Sequence, residues 1–327
     1  MGSFSWEGKK VLVTGGAGFV GSKLCEMLIE RGAIVSVADN LERGSKENLG
    51  EYLGEIEFHE VDLSCIENCK VVTKGIDVVM NLAAKACGVE YSATHHGEML
   101  TYNALIGLNV LEACRINNVD RVLVVSTSCV YEDAAPVPTV EYHFAHSPER
   151  ANDGYAWGKI ISEKQAEYYH REYGMKVSIA RPSNIYGVGD RFDSEKSHVI
   201  PAIIDRVLNG EDPLLIWGSG EQSRAFIHRD DVAEAFILLT GGKCFGKPVN
   251  VGESQDIKIK DLARKICDIA GISPDFKFDT SKPQGAFRKS VSINRLQDET
   301  GYLPKYSLHG GLKEIVDQAK KERGFSD

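Results

Sequence analysis

The chain has 327 residues, of which 43% are hydrophobic and 26% charged, and its formal net charge is −9. These proportions exclude a disordered or collagen-like chain. The negative charge disfavours nucleic acid as a partner, because phosphate backbones repel it. No uncharged apolar run approaches the roughly 20 residues that a membrane-spanning helix needs, and the N-terminus lacks the features of a signal peptide. We therefore expect binding to neither nucleic acid nor membrane.

Short runs rich in Val and Ile alternate with helical patterns in the first part of the chain. The predicted strands are Val11–Thr14, Ile34–Asp39, Ile56–Val61, Val78–Leu82, Val122–Ser126 and Val177–Ala180. The predicted helices are Gly18–Arg31, Met99–Asn117 and Tyr155–Tyr173. This alternation is typical of β-α-β units, and therefore of a parallel sheet covered by helices on both faces.

After Pro182 the segments become shorter and turns become more frequent. Helices are predicted at Val199–Leu208, Asp230–Leu239, Ile259–Ala270 and Leu312–Lys321. We predict that residues 1–181 form one domain and that 225–250 return to it. Residues 182–224 and 251–327 then form a smaller mixed α/β domain. The predicted fold class is α/β, with a doubly wound parallel sheet and this second domain.

The eight cysteines indicate a reducing compartment. They lack the dense, short spacing of a disulfide framework. Cys65 and Cys69 form one C-x3-C pair without a second Cys/His pair nearby, whereas structural zinc needs four ligands. We therefore predict free thiols, no metal site and a cytoplasmic location.

A glycine-rich loop joins the first predicted strand to the first predicted helix. Gly15 permits a tight turn, Gly18 lets the backbone approach a pyrophosphate at the helix N-terminus, and Gly21 lets the helix pack closely. Asp39 ends the second strand, where an acid accepts hydrogen bonds from an adenosine ribose. Its charge repels a 2′-phosphate, although Arg43 nearby could pair with one. The pattern predicts a Rossmann-type domain that binds NAD rather than NADP.

Tyr155 and Lys159 are four residues apart and would share one face of a helix. A tyrosine with a pKa near 10 is a poor base at neutral pH. A neighbouring ammonium group stabilises the phenolate and lowers that pKa. The tyrosine can then take a proton from a hydroxyl while hydride leaves the carbon. Together with the glycine loop, this spacing predicts a dehydrogenase-type site.

The sequence resembles the extended short-chain dehydrogenase/reductase family, in its NAD-dependent nucleotide-sugar epimerase/dehydratase branch. Besides the two motifs above, the resemblance rests on Asp39–Leu41, Asp62-Leu63, Asn81–Lys85, Asn103, Ser126–Tyr131, Arg181–Gly187 and Arg224–His228. It implies that the cofactor is contacted by Gly15, Gly18, Phe19, Val20, Gly21, Asp39, Asn40, Arg43, Asp62, Leu63, Leu82, Ala83, Ala84, Lys85, Asn103, Tyr155 and Lys159.

The same resemblance implies how a nucleotide-diphosphate sugar is bound. Thr127 would hydrogen-bond to the reacting hydroxyl beside Tyr155. Asn184, Arg224 and Arg288 would contact the diphosphate, and arginine suits this because its guanidinium binds two oxygens at once. Family members usually form homodimers through two long helices of each subunit, which here correspond to Met99–Asn117 and Tyr155–Tyr173.

The residue type at the position of Cys129 distinguishes the reactions that members of this branch catalyse. Dehydratases and decarboxylases carry Glu at its position, whereas GDP-fucose synthases and GDP-mannose 3,5-epimerases carry Cys. The former pair it with a His that corresponds to His198, and the latter with a Lys, for which Lys196 is the candidate here. The resemblance implies Cys129 as base and His198 as acid. Asp39 fits the NAD-type epimerases better than the NADPH-dependent fucose synthases.

A C4 ketone explains why such a pair is needed. The ketone acidifies the hydrogens on C3 and C5, and inversion requires proton transfer on opposite faces. A thiol near pKa 8.5 and an imidazole near 6.5 bracket neutral pH. We predict an NAD-dependent nucleotide-sugar epimerase that inverts C3, C5 or both, on a GDP-linked hexose or heptose. The alternatives are a 4-epimerase and a bifunctional GDP-4-keto-6-deoxyhexose 3,5-epimerase/4-reductase.

Overall fold

The computed structural model describes residues 4–143, 147–190, 192, 198–281 and 286–325. Up to Pro182, strands and helices alternate along the chain. The strands are β1 (Lys10–Thr14), β2 (Ile34–Asp39), β3 (Glu57–Glu60), β4 (Val78–Asn81), β5 (Arg121–Val125) and β6 (Lys176–Pro182). The helices are α1 (Phe19–Ile29), α2 (Ile66–Val72), α3 (Val89–Ser92), α4 (His96–Ile116) and α5 (Asp153–Tyr173). Short 3-10 helices cover Lys46–Glu55, Ser128–Val130 and Arg150–Asn152.

The remainder of the chain is built from shorter elements. Its strands are β7 (Asn184–Tyr186), β8 (Leu214–Trp217), β9 (Ser223–Arg224), β10 (Phe226–His228), β11 (Pro248–Val251), β12 (Ile257–Lys258), β13 (Phe276–Asp279) and β14 (Arg288–Lys289). Its helices are α6 (Val199–Leu208), α7 (Arg229–Gly241), α8 (Ile259–Ala270), α9 (Asn294–Thr300) and α10 (Leu308–Glu322). No helix in these described ranges is long and apolar enough to cross a bilayer.

Seven parallel strands form the main sheet in the order β11-β6-β5-β4-β1-β2-β3. Val11, Leu12 and Val13 of β1 are fully buried, because helices cover both faces of the sheet. The strand order reverses between β1 and β4, and ligands of such sheets bind beyond the carboxyl ends of the strands at this reversal. The predicted doubly wound parallel sheet is confirmed.

Two apolar clusters accompany the predicted division into domains. One packs α1 and α7 on the main sheet, which β11 joins as an edge strand beside β6. The other lies among α6, α8 and α10, and includes Ile204, Leu262 and Leu312. These clusters support a second domain that begins near β7, and the exact boundaries stay a prediction.

Candidate active site

The loop between β1 and α1 is closed by backbone contacts that only glycine permits. Gly15 has a φ of +67°, which L side chains rarely adopt. A Cβ on Gly21 would lie 2.1 Å from the carbonyl oxygen of Gly15 and 2.8 Å from the Cα of Gly16. Phe19 and Val20 begin α1 directly after Gly18. The loop therefore holds the helix N-terminus against the carboxyl end of β1.

Asp39 presents a buried carboxylate beside this loop. Its Oδ2 accepts a hydrogen bond from the Ala17 amide at 3.1 Å, and its Oδ1 accepts one from the Leu41 amide at 2.9 Å. Burial raises the pKa of Asp39, and the two hydrogen bonds oppose this. Each oxygen keeps acceptor capacity for a ribose hydroxyl. The Arg43 guanidinium donates to the carbonyl oxygen of Ala86, and Asn40 is exposed.

The chain after β4 packs against the same glycine loop. The Ala83 amide donates to the Thr14 hydroxyl at 3.1 Å. The Lys85 ammonium contacts Glu42 at 2.8 Å and Glu98 at 3.0 Å, so it ties the loop after β2 to α4. Leu82 and Ala84 flank Ala83 and are partly buried.

Asn103 and the segment after β3 complete the predicted cofactor contacts. The Asn103 side-chain amide donates to the carbonyl oxygens of Lys85 at 3.0 Å and Met99 at 2.8 Å. Its Oδ1 is buried and has no hydrogen-bond partner among the described residues. Asp62 accepts from the Ser64 amide at 2.8 Å, and Leu63 is buried.

These residues fit a dinucleotide. The glycine loop leads directly into the N-terminus of α1, which suits a pyrophosphate. The Asp39 carboxylate lies beside the glycine loop, where the ribose is expected, and the buried Asn103 Oδ1 has no hydrogen-bond partner among the described residues. The individual contacts assigned to the cofactor stay predictions.

Thr127, Tyr155 and Lys159 meet beyond the carboxyl end of β5. The Thr127 side chain lies close enough to the Tyr155 hydroxyl to oppose the rise of its pKa. The Lys159 ammonium donates to the Val125 carbonyl oxygen at 2.9 Å and lies 5.9 Å from the centroid of the Tyr155 ring. Burial lowers the pKa of Lys159 to about 8, against the opposing charge of Glu163. The structure thus brings these three predicted catalytic side chains together.

The Tyr155 pKa moves opposite to the expected direction. From the sequence we expect Lys159 to lower this pKa, but burial and the nearby Cys129 raise it above its usual value, against the influence of Thr127. Desolvation penalises a phenolate in this pocket more than the surrounding donors favour it.

Cys129 lies in the short 3-10 helix Ser128–Val130, which Thr127 precedes. Its amide donates to the Thr127 hydroxyl at 3.1 Å. Its thiol accepts a hydrogen bond from the Lys289 ammonium at 3.5 Å, and that ammonium also donates to Glu149 at 2.8 Å. Burial raises the pKa of Cys129 to about 11, although the charge of Lys289 opposes this. The ordinary thiol value used in the sequence argument therefore does not hold in this pocket.

His198 has different neighbours. Its Nδ1 lies 3.0 Å from the Asp190 carboxylate, and 64% of the side chain is exposed. The hydrogen bond to Asp190 raises its pKa, against the charge of Arg43. The described contacts of His198 and Cys129 do not include each other. Lys196, the alternative partner, lies outside the described residues.

The predicted diphosphate ligands lie around one small sheet. Strand β14 pairs with β9, which places Lys289 next to Arg224. Arg224 donates to the Ala286 carbonyl oxygen at 2.6 Å. Arg288 forms two hydrogen bonds with Asp256, at 2.7 and 3.0 Å, and this pairing holds the Asp256 pKa at about 2. The Asn184 amide donates to the Ala225 carbonyl oxygen at 2.8 Å.

Lys289 and Glu149 were missed by the sequence argument. Lys289 follows the predicted ligand Arg288 directly, and this adjacency is the only signal that could have drawn attention to it. Glu149 precedes α5 without any recognisable spacing. Within the described ranges, no cluster of three or more His, Cys, Asp or Glu side chains could hold a metal ion.

Comparison with known proteins agrees with this geometry. A family model described as the NAD dependent epimerase/dehydratase family matches residues 11–252. A GDP-L-fucose synthase from Sinorhizobium fredii is 32% identical, over 94% of each chain. A GDP-mannose 3,5-epimerase from Arabidopsis thaliana is 28% identical, over 97% of this chain and 85% of its own.

A solved structure matches nearly the whole fold. It is the UDP-N-acetylglucosamine 4-epimerase from Methanobrevibacter ruminantium M1 in complex with UDP-N-acetylmuramic acid. The two chains are 30% identical, the match covers 97% of this chain and 99% of the other, and the TM-score is 0.88. The chain therefore belongs to the NAD dependent epimerase/dehydratase family, and NAD is its cofactor.

Proposed function

We propose that the chain is a nucleotide-sugar epimerase that oxidises C4 of a GDP-linked hexose or heptose transiently and inverts C3, C5 or both. The observation that carries the proposal is the position of Cys129. Its amide donates to the Thr127 hydroxyl, and Cys129 lies close enough to Tyr155 to raise the pKa of that tyrosine. A second proton-transfer group therefore lies beside the group that acts at C4. The relatives named GDP-L-fucose synthase and GDP-mannose 3,5-epimerase support the choice of GDP.

Tyr155, Thr127 and Lys159 act at C4. NAD, when bound, would supply the reversible hydride acceptor that the oxidation of a C4 alcohol to a ketone needs. The Tyr155 oxygen takes the proton from the C4 hydroxyl, and Thr127 orients that hydroxyl. Lys159, with a pKa of about 8, is largely an ammonium at neutral pH. Its charge opposes the burial that raises the Tyr155 pKa. The Val125 carbonyl oxygen fixes the position of this ammonium.

Cys129 and His198 act at C3 and C5. The thiolate of Cys129 removes the carbon proton that the C4 ketone acidifies. His198 returns a proton on the opposite face, and its bond to Asp190 favours the imidazolium needed for this. The described contacts do not join the two side chains, and this proposal has the sugar ring lie between them. Lys196 stays an alternative to His198.

Solvent exchange tests this function directly. During turnover of a GDP-sugar in deuterium oxide, we expect deuterium at C3, C5 or both, read by NMR of the product. A product that forms with both positions fully protiated would contradict the role of Cys129 and favour a 4-epimerase. Stoichiometric consumption of reduced nicotinamide would favour the bifunctional epimerase/reductase.

We further propose that the enzyme is a homodimer through α4 and α5. These helices pack closely, since a Cβ on Gly107 would lie 1.8 Å from the Ser162 hydroxyl. Their outer faces leave apolar side chains exposed: Tyr102, Leu105, Trp157, Ile161 and Tyr168. Contiguous exposed apolar patches mark interaction sites.

Charge placed on this face should separate the subunits. We expect Ile161→Glu, on a side chain that is 36% exposed, to halve the mass measured by light scattering during gel filtration. The carboxylate introduced at position 161 would be buried in the dimer interface without a hydrogen-bond or ion-pair partner, which disfavours the dimer. The control is Val71→Glu, because Val71 is 71% exposed on α2. An unchanged mass for the Ile161 variant would place the interface elsewhere.

We also propose a cytoplasmic location. All eight cysteines have free thiols in the structure. Disulfides form and persist mainly in oxidising compartments, so a chain with eight unpaired cysteines fits a reducing one.

A further inference from the structure

The environment of the Cys129 thiol contains a pair of opposite charges. Lys289 lies 160 residues away in sequence, yet its ammonium is 3.5 Å from the Cys129 sulfur. The same ammonium is 2.8 Å from Glu149. The backbone also joins the two residues, because the Glu149 amide donates to the Cys129 carbonyl oxygen at 3.0 Å.

This arrangement is held by structure on both sides. Strand β14 fixes Lys289 beside Arg224 of β9. Glu149 is buried just before the 3-10 turn that leads into α5, and Asn152 donates to its carboxylate at 3.3 Å. Burial opposes the ionisation of Glu149, but the charge and hydrogen bond of Lys289 outweigh it and hold its pKa at about 2. Both members of the pair are therefore charged at neutral pH.

We propose that Lys289 is a positioning residue whose ammonium stabilises the thiolate of Cys129, and that Glu149 holds Lys289 in place while its own charge opposes the thiolate. The proposal rests on the proposed function only in that Cys129 serves there as the base. Among the described residues, Tyr155, Thr127 and Arg224 also lie close enough to this thiol to interact with it.

In this proposal Cys129 alone of the three side chains exchanges protons. The Cys129 thiol loses its proton to solvent, and the thiolate then takes the proton from C3 or C5 of the keto sugar. The electron pair of that C–H bond moves into the enolate, whose charge rests on the C4 oxygen. Lys289 stays an ammonium and Glu149 a carboxylate throughout, so neither exchanges a proton with the sugar.

Opposite charges predict opposite effects on the thiol. Removing the Lys289 charge should raise the pKa of Cys129 further, because an opposing cation is lost. Removing the Glu149 charge should lower it, because a nearby anion is lost. A merely structural pair would disturb the site in the same direction from either side.

The test follows alkylation of Cys129 by iodoacetamide as a function of pH, with the modified peptides quantified by mass spectrometry. Only the thiolate reacts, and no sugar is needed. At pH values below the pKa of Cys129, a shift of that pKa by one unit changes the alkylation rate about tenfold. We expect Lys289→Met to slow the reaction at least about tenfold, Glu149→Gln to accelerate it, and Lys289→Arg to restore the wild-type profile. The exposed thiol of Cys65 in the same molecule is the internal control.

The outcomes separate this proposal from the proposed function. Unchanged profiles at Cys129, or shifts of the same sign in Lys289→Met and Glu149→Gln, would overturn the role of the pair. If Lys289→Met fails to fold, as judged by circular dichroism, Lys289→Gln and Glu149→Gln provide the same comparison. Because alkylation is measured without substrate, a failure to epimerise leaves this result intact.

Discussion

Replacing Tyr155 by Phe should lower kcat/KM for the GDP-sugar by roughly 10²–10⁴-fold, the usual contribution of a positioned acid/base group. The substitution removes only the hydroxyl near Thr127 and keeps the half-buried ring. Lys159 stays bound to the Val125 carbonyl oxygen, so the pocket should keep its shape. Binding of the sugar, measured by calorimetry, should therefore change little.

A matched variant distinguishes chemistry from a general effect of losing a tyrosine hydroxyl. Tyr142 is 82% exposed, and Tyr142→Phe should leave kcat/KM unchanged. Retention of activity in Tyr155→Phe would show that another group takes the C4 proton. A loss of binding equal to the loss of kcat/KM would indicate that the hydroxyl serves recognition rather than proton transfer.

Local features of the site could be predicted because their physical requirements act over a few residues. Gly15 and Gly21 are required by contacts within one loop, and this requirement is visible as spacing. Tyr155 and Lys159 share a helix face for the same reason, since four residues make about one turn. The buried strands of the main sheet are likewise apparent as continuous apolar runs.

Contacts between distant segments could not be predicted in this way. Lys289 reaches Cys129 through the pairing of β14 with β9, two strands of two residues each. Such short strands have no periodicity to detect. The pKa values of Cys129 and Tyr155 also depend on burial, which a sequence does not give for a single side chain. The pair expected from the sequence, Cys129 with His198, depends on a bound sugar between them.

Replacing Cys129 by Ser should divide the reaction into its two parts. We expect deuterium incorporation at C3 and C5 to fall by roughly 10²–10⁴-fold, because a serine hydroxyl does not ionise in the working pH range. Formation of enzyme-bound reduced nicotinamide on mixing with the sugar, followed by absorbance, should continue at a similar rate. The reason is that the Thr127 hydroxyl bonds to the backbone amide of residue 129, which the substitution retains.

Cys65→Ser is the matched control, since that thiol is exposed. It should leave both measurements unchanged. If Cys129→Ser slows the formation of reduced nicotinamide and the incorporation of deuterium by the same factor, the thiol supports the pocket and does not transfer protons. If the variant still converts the sugar at the wild-type rate, the reaction needs only Tyr155 and Lys159. Inversion then occurs at C4, by rotation of the keto sugar between two hydride transfers.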